Sequence, residues 1–137
     1  MHQFKYRGSD RAGWILASAL AGLIAPESVL VPVPRASWRS LRYGIDPAPD
    51  LAQRLQRLTG CVIASAFAAP AMAPKQAGRK RSERIPAPLK VTMNPSSSVV
   101  LLDDVLTTGR TLASARSALR AAGIRVESAI TATARGD

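Results

Sequence analysis

Val99 to Thr111 reads VVLLDDVLTTGRT: four branched apolar residues, two adjacent acids, then a threonine- and glycine-rich turn. An apolar run with no polar face is the pattern of a central parallel strand, covered on both sides. Val99–Leu102 is therefore predicted as a strand of an α/β sheet. Ligands bind such sheets at the carboxyl ends of their strands, which is where Asp103 and Asp104 fall. Neighbouring side chains on extended backbone point to opposite sides. A bend where the strand ends would let both acids reach one ligand.

Working outward, Thr111–Ala122 is predicted as a helix with Leu112, Ala115 and Leu119 on one side and Gly123 as its stop, followed by a strand at Arg125–Ala134. Upstream, Ser9-Asp10 reads as an N-cap. Trp14, Ile15, Leu16, Ala19, Leu20, Leu23 and Ile24 then form one broad apolar helical face that ends near Pro26. Val29–Val33 is a short buried strand running into the stiff loop VPVPRAS. Asp50 is placed to cap a helix with Leu51, Leu55 and Leu58 on one face and Gly60 as its end; Cys61–Phe67 is a second strand. Residues 68–98, rich in Pro, Ala and basic side chains, are read as a flexible insert, with Val91–Met93 as one arm of a hairpin. The alternation of helices and strands predicts a single α/β domain over residues 1–137, with a mainly parallel central sheet flanked by helices.

Nineteen Lys and Arg against nine Asp and Glu give a formal net charge of +10. That excess suits nucleic acid, a membrane surface or a heavily phosphorylated small ligand, and equally a solvated basic surface. The lone cysteine, Cys61, excludes an intramolecular disulfide and a thiolate zinc cluster, and its apolar setting makes it a buried inert thiol. The lone histidine, His2, leaves no basis for a histidine metal site or a Ser-His-Asp triad. The apolar stretch Ala12–Pro26 is short for a membrane span and lacks the flanks of a secretory signal, so the expectation is a cytoplasmic protein with no membrane partner.

The acid pair and the turn have complementary chemistry. Carboxylates accept hydrogen bonds from vicinal hydroxyls such as those of a ribose, and they hold Mg²⁺ directly or through its waters. Backbone N–H groups at a helix start, with hydroxyls nearby, receive an anion. Gly109 permits close approach and unusual φ angles. Sugar hydroxyls beside one phosphate describe a ribose 5-phosphate. The competing reading takes Asp103-Asp104 as turn residues and Thr107-Thr108-Gly109 as the approach to an N-cap. Neither a Walker phosphate loop nor a dinucleotide G-x-G-x-x-G is present.

On these residues the chain resembles the type I phosphoribosyltransferases, whose 5-phosphoribosyl 1-pyrophosphate (PRPP) signature is an apolar strand, two acids, two apolar residues and T-T-G-x-T. It is most similar to the competence protein F (ComF) branch. FKYRG resembles the opening segment of that branch, VPVPRASWRSLRYG its proline-rich strand and spaced arginines, KQAGRKRSERI its Gln-x-Gly-x-x-Arg-x-x-Arg stretch, and TLASARSALRAAGIRVESAITATARG its closing helix and strand. The resemblance implies a type I phosphoribosyltransferase fold with a flexible lid loop. It implies that Asp103 and Asp104 are the catalytic pair, binding the ribose hydroxyls with Mg²⁺ held indirectly. Thr107, Thr108, Gly109, Arg110 and Thr111 would bind the 5-phosphate, and Pro34, Arg35, Ala36 and Ser37 the pyrophosphate. Lys75, Arg79 and Arg81 would lie on the lid. The implied reaction displaces pyrophosphate at the anomeric carbon by a nitrogen nucleophile.

Such a reaction suits the residues at hand. Mg²⁺ and arginines, Arg35 first, would stabilise charge on the departing pyrophosphate. A reactive nucleophile needs no general base. The chain departs from the ComF pattern in three places. It carries no counterpart of a cysteine-rich zinc module, Gly44-Ile45-Asp46 stands for Gly-Phe-Asn, and Arg79 replaces an apolar residue after Gln-x-Gly. The acceptor-binding hood is short and unmatched, so no residue marks the nitrogen acceptor. Two alternative functions on the same fold are a nucleic-acid-handling accessory of DNA uptake and a PRPP-sensing regulator. Nucleic acid and a second copy of the chain are further candidate partners.

Overall fold

The computed structural model describes residues 3–34, 47–68, 89–92, 98–106 and 108–134. In chain order the elements are α1 (Gln3–Ala21), β1 (Val29–Pro32), α2 (Pro47–Thr59), β2 (Val62–Ile63), β3 (Val99–Leu106), α3 (Arg110–Ala121) and β4 (Val126–Ala134). The four strands form one sheet in the order β2-β1-β3-β4, and every neighbouring pair is parallel. This is the α/β architecture the alternation predicts.

The interior strand β3 explains the two cores. Its side chains alternate between the faces of the sheet. Val99 and Leu101, fully buried, join Val31, Val33, Ala115, Leu119 and Ile124 on the α3 side. Val100 and Leu102 join Ala17, Leu30, Leu51, Ala52, Leu55 and Cys61 on the side covered by α1 and α2. Burying both faces requires an apolar residue at every position, and VVLL supplies it. Cys61 is a buried free thiol, as its apolar context predicts.

Several boundaries differ from the sequence reading, each for a physical reason. Helix α1 begins at Gln3, so Ser9 and Asp10 lie inside it. Asp10 binds Arg54 of α2 rather than capping the helix. The apolar face of α1 is narrower than predicted. Ala17 and Ile24 are buried and Leu16, Leu20 and Ala21 pack against the core, but Ile15 and Leu23 are 60% and 69% exposed. Helix α2 starts at Pro47, which puts Asp50 in its first turn as the partner of Arg54. Gly60 ends α2 with φ +76.

Strand β2 is only two residues long, because parallel pairing with β1 covers Val62 and Ile63 alone. Phe67 instead bridges Val91 in antiparallel fashion. The Ala68 N–H donates to Lys90 O and the Thr92 N–H to Ala66 O, each at 2.8 Å. Val91 is thus paired with Phe67 rather than within residues 68–98, Met93 of the predicted hairpin arm lies outside the described residues, and Leu89 and Val91 pack on the core. The lid residues Lys75, Arg79 and Arg81 lie outside the described residues. Among the described residues no helix is long and apolar enough to cross a membrane.

Candidate functional site

The strand order decides where a ligand fits. From β1 the chain passes through α2 to β2 on one side; from β3 it passes through α3 to β4 on the other. β1 and β3 are neighbours whose connections diverge, and a crevice opens beyond their carboxyl ends at such a switch point. The last β1–β3 register pair is Pro32 with Leu102, closed by the Val33 N–H donating to Leu102 O at 2.8 Å. The next residue of β3 is Asp103. Half-buried Pro34 leads β1 away from the sheet at the same level.

Asp103 is only 7% exposed, and it is the buried charged residue among those described. A carboxylate this far from water is retained only with donors or a cation, and Asp103 does interact with other groups of the chain. On its other flank Asp103 is in register with Thr131 of β4. In parallel strands register partners share a face, so the half-buried Thr131 lies beside the acid. Nothing in the reading of the sequence singled out Thr131; the only signal was the β-rich segment that holds it.

The strand does not end at the acids. Expected to stop at Leu102, β3 continues to Leu106, because β4 is nine residues long and pairs with it at Val105–Thr133 and Leu106–Ala134. The extended backbone therefore carries through Asp103 and Asp104, and the bend expected there falls after Leu106. The turn that follows holds Thr108 and Gly109.

Gly109 is the N-cap of α3 and sits at φ +70, ψ 0, in the left-handed region. That conformation costs an L side chain roughly 1 kcal/mol, and glycine adopts it freely. Gly109 also has no side chain with which to cap the helix, and no side-chain cap hydrogen bond is present. The first helical bond, from the Ala113 N–H to Gly109 O, measures 2.9 Å. The N–H groups of the first turn precede that ladder and carry the positive end of the helix dipole. Thr108, Arg110 and Thr111 around them are exposed. Thr107, Arg35, Ala36 and Ser37 lie outside the described residues. Among the described residues no group of three or more His, Cys, Asp or Glu comes together.

A second polar cluster joins α1 to α2. The Arg54 Nε donates to Asp50 Oδ2 at 2.9 Å, its Nη2 meets Asp10 Oδ1 at 2.8 Å, and its guanidinium lies 5.1 Å from the centre of the Trp14 ring. The hydrogen bond with Asp50, then that with Asp10, raises the guanidinium pKa above its ordinary value against the opposing effect of burial. Asp10, Trp14, Asp50, Gln53, Arg54 and Arg57 line a shallow cleft there. That lining includes no residue of the strand ends or of the turn. We read it as a clamp between helices.

Comparison with known proteins matches residues 40–137 to the phosphoribosyl transferase domain family. Among solved structures, the orotate phosphoribosyltransferase from Aeropyrum pernix superposes with a TM-score of 0.55 at 23% identity, covering 96% of this chain. The chain spans 62% of the length of that enzyme. At this identity the likeness concerns the fold. No curated relative matches the chain.

Proposed function

The chain belongs to the phosphoribosyl transferase domain family, and on that premise we propose that it binds PRPP with Mg²⁺ and transfers the phosphoribosyl group to a nitrogen acceptor, releasing pyrophosphate. The observation that supports this reading is the position of Asp103-Asp104 on the interior strand just past the end of its register with β1, at the β1/β3 switch point, with the Gly109 turn and the start of α3 downstream. The ComF-like motifs make that branch the finer assignment. The domain comprises residues 1–137 and acts in the cytoplasm.

In this reading Asp103 and Asp104 accept hydrogen bonds from the ribose 2′ and 3′ hydroxyls. Thr107, Thr108, Gly109, Arg110 and Thr111 receive the 5-phosphate through hydroxyls and first-turn amides. Pro34, Arg35, Ala36 and Ser37 receive the pyrophosphate, and Lys75, Arg79 and Arg81 approach it from the lid. The donor set fits Mg²⁺: two adjacent carboxylates are hard oxygen ligands, and Mg²⁺ keeps several waters while binding one or two carboxylates plus substrate phosphates. Held indirectly by Asp103 and Asp104, the ion would neutralise charge on the leaving pyrophosphate. The bond from the anomeric carbon to the pyrophosphate oxygen breaks with its electron pair, and the acceptor nitrogen forms the new bond to that carbon.

Titration calorimetry with PRPP and Mg²⁺ tests binding. Saturable binding that the Asp103→Asn/Asp104→Asn double variant loses is the expected result, and equal binding by that variant overturns the site. A screen of nitrogen acceptors that reads pyrophosphate release tests transfer; binding without release would instead identify a PRPP-responsive regulator. The net charge of +10 favours one second reading, a nucleic-acid-handling accessory. It requires strongly salt-dependent binding to single-stranded DNA that the Asp variants leave unchanged.

A further inference from the structure

Asp103 belongs to a row of side chains that faces one side of the sheet. Along β3 the row is Val99, Leu101 and Asp103, and the two apolar members are fully buried in the core that α3 covers. Along β4 the register neighbours are Ala129 beside Leu101 and Thr131 beside Asp103. Ala129 is exposed and Thr131 half-buried. On the opposite face of β4 at this level, Ile130 and Ala132 pack on the other core. A hydroxyl thus stands at the level where the row changes from hydrocarbon to carboxylate. It lies on the side of the sheet that carries α3, whose first turn follows Gly109. Among the described residues the Thr131 hydroxyl has no hydrogen-bond partner.

The two groups have complementary chemistry. An ionised carboxylate only accepts hydrogen bonds, whereas a threonine hydroxyl also donates one. Neighbouring strands lie about 4.8 Å apart, so register partners on one face reach a common small group. A sugar hydroxyl needs both kinds of partner: once its proton goes to a carboxylate, its oxygen lone pairs are left for a donor. Resting on the PRPP reading above, we propose that Thr131 is a further binding residue of that site, its hydroxyl donating to the ribose hydroxyl that donates to Asp103. No motif marks Thr131 in the sequence; the β3–β4 register alone brings it to the acid.

Titration calorimetry of the full chain with PRPP and Mg²⁺ tests this. Thr131→Val keeps the β-branched shape and removes the hydroxyl, and affinity should fall about three- to tenfold, the loss of one neutral hydrogen bond. Thr131→Ser keeps the hydroxyl and drops a methyl, and should bind within about twofold of wild type. A purely structural role for Thr131 predicts the reverse order, since valine suits a strand better than serine. Combining Thr131→Val with Asp103→Asn should cost less than the product of the two single losses, as expected of groups that share one ligand atom. Circular dichroism confirms the folding of each variant. Thr131→Val binding PRPP as wild type does, while Asp103→Asn is impaired, overturns the inference and leaves the PRPP reading standing. So does a serine variant that binds more weakly than the valine one. A wild-type chain that binds no PRPP overturns that reading and the inference with it.

Discussion

Thr131 of β4 stands in register with Asp103 of β3, one residue beyond the point where β3 loses its register with β1 at Leu102. Asp103 is therefore the first residue of the interior strand flanked by a strand on one side only. It is buried, and it lies at the carboxyl end of β1, the region where sheets of this kind bind ligands, so its carboxylate is costly to keep without donors or a cation.

Asp103→Asn keeps the shape of the side chain and removes its charge. Charge-assisted hydrogen bonds contribute about 1.5–3 kcal/mol each, so PRPP binding is expected to fall by roughly 10- to 150-fold. Calorimetry measures the loss, and circular dichroism confirms that the fold is retained.

Three glycines separate backbone strain from ligand binding. Gly60 and Gly123 have φ of +76 and +78, and a Cβ at either would meet open space. Gly60→Ala and Gly123→Ala should each cost about 1 kcal/mol of stability with no change in PRPP affinity. Gly109→Ala, at φ +70, should cost a similar amount and, if the proposed 5-phosphate site is at this turn, also weaken PRPP binding. Urea titration and calorimetry on the three variants make the comparison.

Arg54 reports on the α1–α2 contact. Arg54→Ala removes two ion pairs and the stacking on Trp14, an expected loss of about 1–3 kcal/mol. Gly13→Ala should disturb the same clamp, because its Cβ would lie 2.9 Å from Arg54 Nε. A raised guanidinium pKa gives a contribution that is complete below the ordinary arginine value and lost only as pH climbs through the folded value. The Arg54 charge itself should therefore add no pH dependence to stability between pH 5 and pH 9, a range well below that in which an arginine loses its proton. Denaturant midpoints across that range check it.

The interior of β3 should be far less tolerant than the exposed turn that follows α1. Leu101→Ala, at a fully buried position, is expected to cost about 2–5 kcal/mol. Leu23→Ser, at a residue 69% exposed, should stay within about 0.5 kcal/mol. Thermal unfolding of the two variants distinguishes them.

Much of the architecture can be read from VVLLDDVLTTGRT and its flanks. An apolar run with no polar face has to be an interior strand, and glycines after Leu58 and Ala122 have to end helices. What fails in such a reading fails where long-range contacts decide. β3 runs past its acids because β4 is there to pair with, and Asp10 lies within a helix because Arg54 is there to bind it. Ile15 and Leu23 look like core residues until the placement of α1 and of the turn after it leaves them exposed.

The sequence by itself determined the α/β alternation, the interior position of Val99–Leu102 and a glycine at 109 free to adopt unusual φ, because these follow from local periodicity and backbone sterics. Only the tertiary structure decided that β1 and β3 are the neighbours whose connections diverge and that Thr131 stands beside Asp103. Strand order and register come from which surfaces bury one another across the sheet, and residues far apart in the chain carry no local mark of that pairing.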